Sequence, residues 1–402
     1  MGNHNIHPNF PSIYKLKGNH GVPGACAECG SLKGVVLPLQ DVLDDIVNAV
    51  YGIVLPDSED CLTINVIKPA AATTTSKLPV VVLIFASGFE FNSPATSDGS
   101  TIEHSLALGE PVIYVSMNYR VSAFGFLASV EIKAAGVGNL GLQDQCEALC
   151  WIQKYITAFR GDTTHYVWGK SAGAISVSLQ KFATGGNTEG LFWAAFMQSS
   201  ASVPIGSINN GQKYYDTIVE QTGCSGAADT LACLRTVPYP TLKAAQNTLP
   251  GLFSYQLIIS PTSTDAEFMQ WIQTYWLPEL AAAQAVTLNS LYPSDVVDGS
   301  PFNTGFLNEL TLQYKQIAAF QFHTSDIHNI YDDGELMDYL INFAMNLNPN
   351  GRAVPNWPTY TTETPNMMMF LDSFFIPTTI INDTYRAAAM QFLANITLEF
   401  PM

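Results

Sequence analysis

Tyr166-Val167-Trp168-Gly169-Lys170-Ser171-Ala172-Gly173 is the stretch whose reading decides the fold. An apolar run enters a Gly-x-Ser-x-Gly pentapeptide, and a segment able to form a helix, Ala174 to Phe182, follows it. A strand, a sharp turn and a helix form the setting in which a serine is held, strained, at the tip of a strand. Glycines on either side remove the Cβ atoms that would clash there. The serine Oγ then stands at a helix N-terminus, where negative charge is stabilised. A bare Gly-x-Ser-x-Gly can arise by chance in a Gly- and Ser-containing chain; the strand before it and the helix after it favour the functional reading.

Outward from this stretch, strands and helices alternate. Leu62 to Ile67 has the period of a strand, and Pro79 to Phe85 and Val112 to Met117 read as buried strands. Thr164 to Trp168 leads to the serine, and Phe192 to Met197 is a further short strand. Leu142 to Phe159 has helical spacing, with Leu142, Ala148, Leu149, Ile152, Ile156 and Phe159 able to share one face. This alternation predicts an α/β fold, a mainly parallel sheet with helices on both faces. Beyond residue 205 it fades into helical stretches at 211–248, 266–285, 310–321, 335–347 and 378–393, with one strand candidate at Tyr255 to Ile259. Residues 1–57 read as an irregular N-terminal segment, helical only over 40–50, and residues 58–402 as a single domain.

The chain of 402 residues is 47% hydrophobic, enough for a sizeable core, and only 13% charged. Its formal net charge of −17 repels phosphate backbones and argues against nucleic acid as a partner. A poorly charged, acidic surface suits neutral or apolar partners. No run is long enough for a membrane-spanning helix; the longest, Leu78 to Ala86, is short and β-branched. Met1 to Pro11 is polar, so no signal peptide is visible. Two glycosylation sequons stand at Asn382-Asp383-Thr384 and Asn395-Ile396-Thr397.

Of the seven cysteines, Cys224 and Cys233 flank a short loop that suits a local disulfide, and Cys61 can pair with Cys26 or Cys29. Cys26-Ala27-Glu28-Cys29 has no second pair at zinc-ribbon spacing, and no metal site is assigned. Cys146 and Cys150 lie one helical turn apart, too far for a bond within one helix, and read as packing residues.

Several segments together resemble the type-B carboxylesterase/lipase family, the cholinesterase-like α/β-hydrolases, and within it the fungal lipase and sterol esterase branch. They are Ser58-Glu59-Asp60-Cys61-Leu62-Thr63-Ile64-Asn65-Val66, Met117-Asn118-Tyr119-Arg120-Val121 with Phe124 to Leu127, and Gly138 to Gln145. Met197-Gln198-Ser199, Cys224 to Arg235, Phe322-His323-Thr324-Ser325-Asp326, Glu335 to Tyr339 and Trp357 to Thr361 extend the likeness. The resemblance implies an α/β-hydrolase fold and a carboxylic ester hydrolase working through an acyl-serine intermediate on esters with apolar acyl chains, without cofactor. It implies Ser171 as nucleophile, His323 as general base, and Ala172, Ser87 and Gly88 as the oxyanion hole. It also implies the Cys224–Cys233 disulfide and an extracellular location. His104, His165 and His328 are rival histidines; His165 belongs to the far end of the strand before Ser171. Arg120 and Asp144 read as a structural ion pair beneath the site.

Four departures from the family pattern favour a second reading, a catalytically impaired homologue. Ala86-Ser87-Gly88 stands where the family has three glycines. Lys170 stands where it has Glu. Ile259-Ser260-Pro261 runs into Thr262 to Phe268 without the segment that carries the family's acid, so the catalytic acid is unassigned; Asp265 and Glu267 read as the start of a helix. The helical Ile317 to Gln321 runs straight into Phe322-His323, where the family has a strand. Intact motifs with whole pieces excised suggest a shortened product.

Overall fold

The computed structural model describes residues 12–17, 59–86, 88–90, 100–183, 185–203, 205–249, 266, 269–270, 272–273, 277, 279–291, 335–351, 354–370, 378–384 and 387–400. Six strands form the central sheet: β1 (Ser12–Lys17), β2 (Thr63–Lys68), β3 (Leu78–Ile84), β4 (Ile113–Met117), β5 (Gly161–Lys170) and β6 (Ala194–Gln198). Their order is β1-β2-β4-β3-β5-β6. The four strands from β4 to β6 run parallel, while β2 is antiparallel to both β4 and β1. The sheet is thus mainly parallel, as the alternation predicts.

The period of two divides each central strand between two cores. Val80, Val82 and Ile84 of β3 join Ile113, Val115, Met117 and Val167 on one face. That face is covered by helix α2 (Leu140–Tyr155), through Ala148, Leu149 and Ile152, and by α3 (Ala172–Phe182), through Val177. Helix α1 (Ser100–Ala107) contributes Ile102 to the opposite face, where Val81, Leu83, Tyr114 and Trp168 lie. Helices α4 (Gln212–Gln221), α5 (Tyr239–Gln246) and α6 (Ala282–Leu291) follow in the chain. Helix α7 (Glu335–Asn346) then covers the second face with Leu336, Met337, Leu340, Ile341 and Ala344. His104 of α1 and Asp338 of α7 join the two helices by a half-buried hydrogen bond.

Cys224 and Cys233 are disulfide-bonded, with Cα atoms 5.8 Å apart, and close the end of α4 over a small core with Tyr215, Ile218 and Leu234. Cys61 is also disulfide-bonded, with its partner outside the described residues.

Four expectations change. Ser12–Lys17, in the segment read as irregular, is a strand whose partner β2 lies about fifty residues on, a pairing that no local pattern announces. Thr378 to Leu393 is not one helix. Its β-branched start, Thr378–Asn382, is strand β8, paired antiparallel with β7 (Asn366–Phe370), and helix α8 begins only at Ala387 and runs to Glu399. The stretch 266–285 is interrupted: Leu280 and Ala281 are non-helical, two residues after a proline in the sequence that lacks the N–H a helix needs. Cys146 and Cys150 do not pack. The buried face of α2 is Gly141, Asp144, Gln145, Ala148, Leu149 and Ile152, which leaves Cys146 half-buried and Cys150 exposed on its flank. The helical readings at 40–50 and 310–321 and the strand candidate at 255–259 lie outside the described residues.

Candidate active site

Ser171 sits between β5 and α3 with φ 52° and ψ −119°, a region that residues with a Cβ rarely occupy. Such a conformation costs about 1–3 kcal/mol and persists only where its surroundings enforce it. They do so here. The Ser171 N–H donates to the Gln198 carbonyl of β6 at 2.8 Å, and the Ser171 carbonyl accepts from Ile175 N–H in the first turn of α3 at 3.0 Å. The indole N–H of Trp168 donates to the Gln198 side chain at 2.9 Å, fixing the same strand end from below.

The two glycines of the pentapeptide permit the close approach. A Cβ on Gly169 would stand 2.7 Å from the Ala174 nitrogen. One on Gly173 would stand 2.8 Å from the Phe85 carbonyl oxygen and nearer still to that of Ile84. The first turn of α3 therefore lies directly on the backbone where β3 ends. Ala172 is buried at that N-terminus, and Ser171 is half-buried.

The loop after β3 is pinned from the chain that follows β4. The Tyr119 ring stacks on Phe85 at 4.3 Å, and its hydroxyl donates to the Phe85 carbonyl at 3.1 Å. Burial pushes that hydroxyl far above the usual tyrosine range. Ser122 N–H donates to the Phe89 carbonyl at 2.6 Å, and Ser122 Oγ to the Glu90 carbonyl at 2.9 Å. Gly88 has φ 64°, which glycine adopts without strain. Tyr119 lies in the Asn-Tyr-Arg-Val segment and Ser122 directly follows it, so the sequence carried the signal for this brace without showing its partner.

Beneath these loops Arg120 and Asp144 form a buried pair. Arg120 Nε and Nη2 each donate to the carboxylate at 2.7 Å, and its backbone N–H donates at 3.0 Å. The pair ties the chain after β4 to the start of α2. Gln145 Nε2 then donates to Ser176 Oγ at 3.0 Å, which ties α2 to α3.

Of the expected site residues, the structure brings Ser171, Ala172 and the loop bearing Gly88 to the C-terminal ends of β5 and β3. Ligand sites of open α/β sheets lie at such strand ends. Ser87, His323, His328, Asp265 and Glu267 lie outside the described residues. His165 is fully buried within β5, six residues before Ser171, with Nδ1–H donating to the Thr163 carbonyl at 3.0 Å. Desolvation lowers its pKa to about 4, so it is neutral. His104 is engaged with Asp338. Lys170 is buried beside the serine, in register with Gln198.

A model of the carboxylesterase family matches residues 38–292. Secreted lipase 1 of Botryotinia fuckeliana is 31% identical, over 86% of this chain and 78% of its own length. That alignment spans 449 residues, more than this chain possesses, so the relative carries insertions that this chain lacks. Lipase 4 of Diutina rugosa is 36% identical over 67% of this chain, which spans 59% of that protein. The crystal structure of Aspergillus niger EstA superposes with a TM-score of 0.68 at 24% identity, over 86% of this chain and 85% of that one. The fold is that of the α/β-hydrolases, and the chain belongs to the carboxylesterase family.

Proposed function

We propose that the protein hydrolyses carboxylic esters with apolar acyl chains, through an acyl intermediate on Ser171. The observation that carries this reading is the enforced backbone of Ser171 between two glycines that no other residue can replace. Ser171 Oγ attacks the ester carbonyl, and His323 takes its proton. The tetrahedral oxyanion accepts hydrogen bonds from the N–H groups of Ala172, Gly88 and Ser87, at a helix N-terminus that favours negative charge. The proton then passes to the departing alcohol. Water, activated by the same histidine, releases the acid and restores the serine.

The relatives named as lipases support an apolar acyl group, and those named as secreted support an extracellular location. A surface of net charge −17 favours uncharged substrates. A fluorophosphonate probe tests the proposal. Labelling of the folded protein that vanishes in Ser171→Ala, together with turnover of p-nitrophenyl esters, is expected. Folded protein that takes no label overturns it.

A further inference from the structure

Helix α2 carries two thiols off its packed face. Cys146 and Cys150 are both free, one half-buried and one exposed. Residues four apart on a helix have Cβ atoms about 5–6 Å apart, whereas a disulfide requires about 3.5–4.5 Å. The intact helix therefore holds them as a dithiol that cannot close on itself. The two thiols stand one turn apart on the same flank of α2. Burial first, then the neighbouring charges, raises both thiol pKa values; Glu147 and Glu189 face the pair. Those carboxylates oppose bare thiolates, so the pair stays protonated until a metal–sulfur bond replaces each S–H bond.

The number of donors selects the ion. Among the described residues no group of three histidine, cysteine or acidic side chains is placed to hold a metal. Four-coordinate zinc is thereby poorly served. Two soft sulfur donors without a third suit a two-coordinate cation with a filled d shell, of which Cu(I) is the biological example.

We propose that Cys146 and Cys150 form a binding site for a two-coordinate thiophilic cation of the Cu(I) class, on the outer flank of α2. In the binding step two S–H bonds break and two Cu–S bonds form. Two protons leave to solvent and no electron is transferred, because copper enters as Cu(I). Uptake therefore increases with pH.

The test is an anaerobic titration of the whole protein with Cu(I) buffered by bathocuproine disulfonate. The intact protein is expected to retain one Cu(I) per chain. Cys146→Ser and Cys150→Ser are each expected to lose it while keeping the circular dichroism of the parent. Retention by either variant, or none by the parent, overturns the site. A second probe does not depend on a variant: one phenylarsine oxide should bridge the pair and block both thiols. Two thiols that remain separately reactive toward a disulfide reagent after its addition also overturn the proposal.

Discussion

Gly173 lies so close to Ile84 that a methyl group on its Cα would overlap the Ile84 carbonyl oxygen. The overlapping atom belongs to backbone in the centre of the sheet and cannot swing aside. Gly173→Ala is expected to destabilise the fold by about 1–3 kcal/mol, the cost of overpacking a filled core. Urea unfolding checks this; stability equal to the parent would mean that α3 can lift off β3.

The field at Ser171 yields a second prediction. Lys170 is buried next to the serine, where a cation disfavours the imidazolium that the proposed mechanism forms. A charged neighbour shifts a titrating group by about one pKa unit or more, roughly tenfold in the population of its charged form. Lys170→Glu is expected to raise kcat/KM by about tenfold or more, with Lys170→Gln between it and the parent. The order Lys, Gln, Glu in rising activity is the outcome to measure; the reverse order would assign the lysine a supporting role.

His165 contributes to the loss of stability in acid. Its Nδ1–H is satisfied by Thr163, and its buried Nε2 has no hydrogen-bond partner among the described residues. The folded pKa of about 4 lies below the 6.5 of the free side chain. Above pH 6.5 both folded and unfolded chains hold a neutral ring, and the titration of the histidine adds no pH dependence. As pH falls from 6.5 to 4 the unfolded chain takes up a proton that the folded chain refuses, so stability is lost over that window. The loss amounts to about 3 kcal/mol. His165→Leu should flatten the pH dependence of unfolding between pH 6.5 and 4.

The Cys224–Cys233 bond closes a loop with a sequence separation of 9. Loop entropy alone gives such a bond about 2.5 kcal/mol. The Cys224→Ser, Cys233→Ser double variant should lose about that much stability, in a melt followed by circular dichroism, and local contacts of Tyr215 and Leu234 should loosen first.

The parts of the fold that were legible in the sequence are those written locally. Tyr166 to Gly173 carries its strand, its turn and its helix start in consecutive residues. The β-branched run from Val80 to Ile84 admits little besides a strand buried on both faces. The Arg120–Asp144 pair was legible because both residues sit in distinctive segments. What the sequence hid depends on distant partners. Ser12–Lys17 becomes a strand only because Thr63–Lys68 is there to pair with it. His104 meets Asp338 across 234 residues. Thr378–Asn382 has apolar residues compatible with either a helix or a hairpin, and its β-branched side chains together with β7 decided the outcome.

Helix α7 comes from near residue 340, yet it covers strands complete by residue 170. During synthesis Val81, Leu83, Tyr114 and Trp168 therefore have only the cover of α1 until the ribosome has added more than 150 further residues. At about 5–20 residues per second this exposure lasts on the order of ten seconds or more. The nascent chain thus keeps one face of the sheet only partly covered for far longer than hydrophobic surfaces need to find one another. The early half of the protein thus completes its packing only when its own late helix arrives.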